Sequence, residues 1–443
     1  MNAFELLFWS SVGLTAYTYV GYPVLIRVLA RLFPQRSSRA MSERASRPGV
    51  AGSDSLPFVS LVIAAYREES VILERLNNAM QLDWPADRLE VLIGCDGDED
   101  LTGELVRAFG DSRVKLLQYP RRRGKASVLN DTIPQARGEI VVLSDANTMM
   151  QPDAIRQLAR HFEDPEVGGV CGRLVLVDSL SGQNVDGLYW KYENYLKQQE
   201  GRFGAVLGVN GAIYAMRKEL YQPIPANTII DDFLIGMRIH RTGHTLLYDE
   251  TAVAIEETPP HIRDEFHRRS RIGAGGFQSL MWLWPLLSPM HGKVAFALWS
   301  HKVLRWFCPA FLLTAMFSNV VLARDPFYLR VLLVHEMFYL VALAGMLWLQ
   351  GHRAARWLRL PAMFVSMNAA LAVGFWRWLG GIRGGTWKRT ERSAEQAVNS
   401  AATSAVEHAP DGEETVLAAD AASLRSLDDS GLLETAGTAE GGR

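Results

Sequence analysis

Residues 139–148 read EIVVLSDANT: one acidic residue, four apolar residues in a row, then Ser144-Asp145-Ala146-Asn147. A β-branched run that is apolar on both faces belongs in a sheet covered on both sides. Four more runs of the same character surround it: FVSLVIAA from Phe58, LEVLIGCD from Leu89, RVKLLQY from Arg113 and VGGVCGRLVLV from Val167. Apolar spacing between them predicts helices over 71–81, 101–109, 125–135 and 153–162. Strands alternating with helices mean an α/β domain with a mostly parallel sheet, over 57–276.

Ligands of such sheets lie past the carboxyl ends of the strands. Polar residues gather there. Ala65-Tyr66-Arg67-Glu68-Glu69 follows the first run, Asp96-Gly97-Asp98 the second, and the Ser144 to Asn147 turn the fourth. Each group by itself reads equally well as a helix cap or a turn. At adjacent strand ends, however, the carboxylates repel unless a cation or hydrogen-bond donors stand among them. Oxygen ligands with few nitrogens or sulfurs suit Mg²⁺ or Mn²⁺, ions that usually arrive with substrate phosphates. No GxGxxG follows the first run and no GxxxxGK[ST] occurs, which disfavours a dinucleotide oxidoreductase. Phosphate charge then falls to metal and side chains.

The flanks have a different composition. Of 443 residues, 46 are Lys or Arg and 48 Asp or Glu, a net charge of -2, so no basic field suits a nucleic acid. A hydrophobic share of 48% against 21% charged excludes global disorder. Mean hydropathy of +0.01 averages a soluble and a membrane population. Cys95, Cys171 and Cys308 form no CxxC pair, against a disulfide scaffold or zinc site and in keeping with a reducing cytosol.

The apolar stretch 4–33 is long enough to span a bilayer, and Arg27, Arg31, Arg36 and Arg39 follow rather than precede its centre. That order predicts an uncleaved anchor with a cytosolic middle domain. Stretches 304–322, 327–349 and 360–379 are each near span length, while 277–287, Trp-rich and broken by Pro285, reads as lying on the surface. Three late crossings would put Arg383 and Trp387-Lys388-Arg389 outside, although the basic 350–359 loop favours the cytosol. A re-entrant third stretch, which carries Arg377, is the other solution, and the sequence leaves both open. From Ser393 the chain is acidic and poor in aromatics, which predicts disorder. The expected organisation is a 1–36 transmembrane segment, a 37–56 linker, the 57–276 domain, 277–302 interfacial helices, 303–380 transmembrane helices, and a 381–443 basic juxtamembrane segment with an acidic tail.

Taken in order, AAYREE, CDGDED, RRRGKASVLN, LSDANT, IIDDFLIGMRI and RRSRIGAGG resemble the membrane-embedded family 2 glycosyltransferases. These are relatives of cellulose, chitin, hyaluronan and poly-N-acetylglucosamine synthases, with a GT-A fold. The resemblance implies that Ala65, Tyr66 and Glu68 hold the nucleotide, that Asp96 recognises the uracil and ribose of a UDP-sugar, and that Lys125 and Asn130 lie along the donor. It implies Asp145 as the first Asp of DxD, on the metal, with Asn147 in place of the second. Asp232 falls on the catalytic base of the TED motif, and Arg238 on an Arg of the following helix. Arg271 matches the Arg of QxxRW, while Ile272 replaces its Trp, a change that favours single addition over processive synthesis. Asp231, Asn210 and Gly211 are expected at the acceptor.

The implied activity is inverting, Mg²⁺- or Mn²⁺-dependent transfer of a hexose or N-acetylhexosamine to a growing glycan. Its partners would be a UDP-sugar donor, a glycan or lipid-linked acceptor, membrane lipids and, for a polymer, export partners. The expected location is the cytoplasmic (inner) membrane. Alternatives are transfer of a single sugar to a lipid-linked acceptor, or an inactive nucleotide-sugar-binding subunit. Among other polar features, Arg121-Arg122-Arg123 reads as a solvated run. Tyr189, Trp190, Tyr192 and Tyr195 read as acceptor, interface or core residues.

Overall fold

The computed structural model describes residues 2–35, 56–177, 187–257, 262–348 and 356–382. Most of the expected 37–56 linker, the start of the 350–359 loop, Arg383, the Trp387 to Arg389 cluster and the acidic tail lie outside the described residues.

Among the described residues, eight strands form one sheet: β1 (Val59–Ala65), β2 (Leu89–Asp96), β3 (Val114–Tyr119), β4 (Ile140–Asp145), β5 (Thr148–Met150), β6 (Val167–Val177), β7 (Tyr214–Arg217) and β8 (Thr245–Glu257). Their order is β3-β2-β1-β4-β7-β6-β8-β5. The first four are parallel neighbours in a register that sets Ala65 beside Cys95 and Ala64 beside Asp145. The chemistry-bearing ends of β1, β2 and β4 therefore emerge side by side. Strand β7 enters antiparallel to both β4 and β6, and β5 runs antiparallel to β8, so the sheet is mixed but mostly parallel. Strands β5, β7 and β8 have no counterpart in the sequence reading. Two are too short to show a period, and in β8 the polar Asp249-Glu250-Thr251 interrupts the alternation where its pairing with β6 shifts register.

Helix α1 (Ala3–Ala16) starts at a capping box of Asn2 and Glu5, which satisfies two orphan N–H groups. A π turn at Tyr17–Gly21 joins it to α2 (Tyr22–Leu32). Between strands lie α3 (Ile72–Met80), α4 (Thr102–Ala108), α5 (Lys125–Thr132) and α6 (Ala154–Ala159). After them come α7 (Leu188–Phe203), α8 (Asp231–Arg241), α9 (Ile262–Leu283), α10 (Gly292–Ala297), α11 (Leu304–Leu322), α12 (Pro326–Trp348) and α13 (Arg356–Leu379).

Among the described residues, four helical stretches are long and apolar enough to cross a membrane: Ala3–Leu32, Pro289–Leu322, Pro326–Leu347 and Leu360–Leu379. The interval 277–302, expected as a separate interfacial unit, is divided. Its first part completes α9, which runs unbroken past residue 276, and its last part leads through a π turn at Leu298–Val303 straight into α11.

Helical and sheet regions share one core. Tyr22, Ile26 and Ala30 of α2 are buried in the same cluster as Leu129 of α5, Leu143 of β4, Phe233 of α8 and Trp306 of α11. Each large aliphatic side chain buried this way contributes about 1.5–3 kcal/mol. The amino-terminal helix is thereby fastened to the α/β domain.

Helices α9 and α13 cross with backbones in near contact. A Cβ on Gly374 would stand 2.7 Å from the Ser270 carbonyl oxygen and 2.8 Å from the Ala274 nitrogen. Small residues at such crossings allow close packing where lipid offers no hydrophobic drive. Beside this contact Arg377 Nη1 donates to Ser270 Oγ at 2.7 Å, so the arginine of the last apolar stretch has a partner on α9. Gly374→Val is expected to force the helices apart and lower the Tm by several degrees, since overpacking costs about 1–3 kcal/mol. A thermal melt of the purified protein in detergent checks this.

Candidate active site

Strand β4 delivers Asp145, the start of α5 delivers Lys125, and the start of α8 delivers Asp231 and Asp232. Lys125 Nζ stands 2.6 Å from Asp145 Oδ1 and 3.4 Å from Asp231 Oδ2. The Gly211 N–H donates to Asp232 Oδ2 at 3.1 Å. A Cβ on Gly211 would lie 3.4 Å from Asp232 Oδ2 and 3.7 Å from Asp145 Oδ2. Asp145 and Asp232 therefore border one hollow, which the missing side chain at position 211 keeps open.

One lysine serves three carboxylates. Burial alone would lower the Lys125 pKa, but Asp145, Asp231 and Asp232 outweigh it and raise the value, so the ammonium stays charged. Burial raises the Asp231 pKa; Lys125 opposes the rise, and Asp232 and Asp145 add to it. From α9, Arg271 faces the same group: burial and Arg268 lower its pKa, while Asp231, Asp232 and Asp145 oppose them. At the end of β8, burial raises the Glu256 pKa, Arg268 opposes, and Asp145 adds to the rise.

The sign of the Asp231 shift makes a stability prediction. A carboxyl whose folded pKa is raised favours the fold while protonated and disfavours it as pH climbs past the unfolded value. Asp231→Asn is thus expected to raise the Tm at neutral pH, with the gain fading as pH falls toward the ordinary carboxylate range. Thermal melts of both proteins across pH check this.

The residues expected to hold the donor have defined places. Asp96, buried at the end of β2, accepts from the backbone N–H groups of Arg123 and Gly124 at 2.7 and 2.8 Å. It thereby fixes the loop that leads into Lys125, and a carboxylate has two further lone-pair sites for a ligand. Ala65 is buried at the end of β1, and Tyr66 follows with its hydroxyl donating to Glu99 at 2.9 Å and the Arg122 guanidinium 3.9 Å from its ring centroid. Arg123 pairs with Asp131 at 2.6 Å. The basic run therefore braces the loop in addition to facing solvent. Glu68 is half-buried and anchors the turn through its backbone, its N–H donating to Thr102 Oγ1 at 2.8 Å.

Two expected ligand-facing amides turn inward. Asn130 donates to the Ile224 carbonyl at 2.7 Å and accepts from Tyr221 Oη and Ile224 N, which ties down the segment before α8. Asn210 is buried; it donates to the Gly172 carbonyl at 2.8 Å and accepts from Lys197. Asn210 is buried and must pair internally, and the half-buried Asn130 spends its amide on the same kind of partner, so both position the site through the segments they hold. Asn147 turns toward β8, its Nδ2 lying 3.3 Å from Glu256 Oε1.

Among the described residues, no three His, Cys, Asp or Glu side chains form a ready metal cage. The groups that do gather, Asp145 with Asn147 and Glu256 nearby, offer oxygen donors, the set preferred by Mg²⁺ and Mn²⁺. Such ions are commonly held by one or two carboxylates plus substrate phosphates. The residues present fit an ion that arrives with its ligand.

Sequence reasoning missed three residues. Glu256 has no local signal, since β8 shows no clean alternation, and Arg268 stands in the RRSRIG motif with nothing local to mark that it faces the carboxylates from α9. Arg75 is fully buried on α3, between Ile72 and Ala79 on the same apolar face, and a charge at a core position was the available signal. Its Nη1 donates to Asn78 at 3.0 Å, and Asn78 grips both backbone groups of Met150. Among the described residues its Nε and Nη2 have no hydrogen-bond partner, and burial brings its pKa down to about 10 with Asp145 opposing. A buried cation thus underlies the Asp145 to Met150 turn.

Fold and site define a GT-A glycosyltransferase. Residues 57–275 match the family described as Glycosyltransferase like family 2, and the chain is an enzyme of that family. The chain is 24% identical to the poly-beta-1,6-N-acetyl-D-glucosamine synthase of Staphylococcus epidermidis over 320 residues, 69% of this chain and 75% of that protein. The Staphylococcus aureus protein of the same name is 26% identical over 235 residues, 52% of this chain and 57% of that protein. Among solved structures, the mannosyltransferase PcManGT of Pyrobaculum calidifontis, in complex with GDP-Man and Mn²⁺, superimposes with a TM-score of 0.59. It is 22% identical, and the match covers 84% of this chain and 99% of that one.

Proposed function

We propose that the protein transfers a hexose or N-acetylhexosamine from a UDP-sugar, with inversion, to a glycan or lipid-linked acceptor at the cytoplasmic face of a membrane. The observation that carries this reading is the hollow at Gly211, bordered by Asp145 and Asp232 and backed by Lys125. The names of the synthase relatives favour an N-acetylglucosamine donor.

Asp232 takes the proton of the acceptor hydroxyl as that oxygen bonds to the anomeric carbon. A carboxylate suffices, because the hydroxyl becomes acidic only late in the reaction. The anomeric carbon–oxygen bond to UDP breaks on the opposite face, so an α-linked donor gives a β-linked product. Lys125 and Arg271 stabilise the departing diphosphate electrostatically. Mg²⁺ or Mn²⁺, held by Asp145 with Asn147 and the diphosphate oxygens, would neutralise the same charge. Ala65, Tyr66, Glu68 and Asp96 form the nucleotide side of the cleft, and Gly211 and Asp231 the acceptor side.

Single addition is favoured over chain extension by Ile272, which occupies the position of the relatives' acceptor-site Trp and is 40% exposed. Thermal stabilisation by a panel of UDP- and GDP-sugars, each with and without Mn²⁺, tests the donor and ion. A ligand at one hundred times its Kd should add about 2.7 kcal/mol of stability. A shift with UDP-N-acetylglucosamine that requires Mn²⁺ supports the reading; no shift with any nucleotide sugar overturns it.

A further inference from the structure

Helix α7 carries Glu193, Lys197 and Glu200 at helical spacing, which puts them on one face. The glutamates are already engaged. Glu193 pairs with Arg305 and Lys302, while Glu200 Oε1 accepts from Tyr22 Oη at 2.8 Å and lies 2.6 Å from His301 Nδ1. Lys197 is half-buried between them and has no carboxylate partner among the described residues. Its ammonium donates instead to neutral groups, Asn210 Oδ1 and, at 3.9 Å, Cys171 Sγ. A glutamate three or four residues away is the stabilising partner of a lysine on a helix. Taking a charge out of water without a counter-charge costs free energy. Stability therefore does not account for where this lysine points.

What the ammonium holds is the turn before the proposed base. Asn210 is buried, and each of its polar groups is occupied: Oδ1 by Lys197, Nδ2 by the Gly172 carbonyl at 2.8 Å, its N–H by Cys171 Sγ at 3.2 Å, and its carbonyl by the Ile213 N–H at 3.0 Å. These contacts fix residue 210 against β6 and close a turn over 210–213. The next residue is Gly211, whose N–H donates to Asp232 Oδ2 at 3.1 Å. Asp232 Oδ1 accepts from the N–H of Phe233, its own neighbour on α8, at 2.8 Å. Among the described residues, Gly211 is thus the one hydrogen-bond donor to this carboxylate from outside α8. A general base acts only when its oxygen is held within hydrogen-bond reach of the proton it takes.

We propose that Lys197 is a positioning residue for the base: through Asn210 it sets the Gly211 N–H that orients the Asp232 carboxylate toward the attacking oxygen. The lysine itself touches no substrate. The proposal rests on the glycosyl-transfer reading above and adds to it a residue from α7, outside the motifs that carry the family resemblance.

The test measures release of UDP from UDP-N-acetylglucosamine with Mn²⁺ by the full chain in detergent, with water as the acceptor. The water oxygen bonds to the anomeric carbon, its proton passes to Asp232 and the bond to UDP breaks, so the base is used while no acceptor is bound. Lys197→Met should lower kcat about ten- to a hundredfold, the cost of displacing a reacting group by about 1 Å. The donor KM and the thermal shift given by UDP-sugar with Mn²⁺ should not change. Lys197→Arg, which keeps a cationic donor of similar reach, should recover most of the rate. Lys197→Met combined with Asn210→Ala should be no slower than the slower single variant, because both act through one contact.

An unchanged kcat in Lys197→Met overturns the proposal, and so do additive losses in the double variant. A raised donor KM overturns it as well, since the lysine would then hold the donor. A lower Tm with a rate loss that Lys197→Arg does not restore reduces Lys197 to packing. Wild-type protein that releases no UDP strikes the transfer reading itself, which is a separate failure.

Discussion

Asp232→Asn is expected to cut sugar transfer by about three orders of magnitude, within the usual contribution of a positioned general base. The fold should survive. An amide oxygen at the same position still accepts the Gly211 N–H that Asp232 accepts at 3.1 Å. The lost charge at the start of α8 costs about 0.3–1 kcal/mol of helix-dipole stabilisation. Donor binding should also survive, because the expected metal and diphosphate contacts belong to Asp145, Lys125 and Arg271. Transfer rates measured beside the thermal shift given by UDP-sugar and Mn²⁺ decide the matter. If both vanish together, Asp232 holds the donor and is not the base.

Lys125→Met should have an effect of comparable size on stability. Removing one partner of a fully buried ion pair costs about 3–5 kcal/mol. Here the cost is smaller, because the Asp145 side chain keeps 35% of its surface exposed while Asp231 keeps 9%. With the ammonium at 2.6 Å gone, Asp145, Asp231 and Asp232 repel one another without a counter-charge. A lower Tm is expected, and Mn²⁺ alone should recover more of it in the variant than it adds to the wild type. In the wild-type chain the lysine competes with any ion for Asp145. An identical response to Mn²⁺ in both proteins would mean that Asp145 does not face the ion.

Much of the α/β domain was legible in the sequence because its signals are local. The runs from Leu89 and Val167 are strands with the expected bounds, β2 and β6, since unbroken apolar stretches closed by polar turns leave few other solutions. The carboxylates at the ends of β2 and β4 were legible for the same reason. Strands β5 and β7 were not, because three and four residues are too few to show a period. The π turn that carries 289–303 into α11 was hidden by Pro285 and Pro289, which mark a break in the helix without saying on which side the next one begins.

Side-chain direction was the larger gap. Asn130, Asn147 and Asn210 all stand in the right motifs, yet two of them spend their amides on neighbouring backbone. Arg75 is invisible as a site residue until α3 is laid against the turn after β4.

Taken alone, the sequence determined that strands and helices alternate, that acidic groups end three neighbouring strands, and that the apolar helices flank this domain. Chain order and hydrophobic period carry that information because covalent spacing fixes them. Only the tertiary structure decided that Lys125 closes on Asp145 and that Gly211 leaves the space beside Asp232. Ion pairs and hydrogen bonds act over a few ångströms and depend on how much water is excluded. Which polar groups meet is therefore set by packing between segments far apart in the chain.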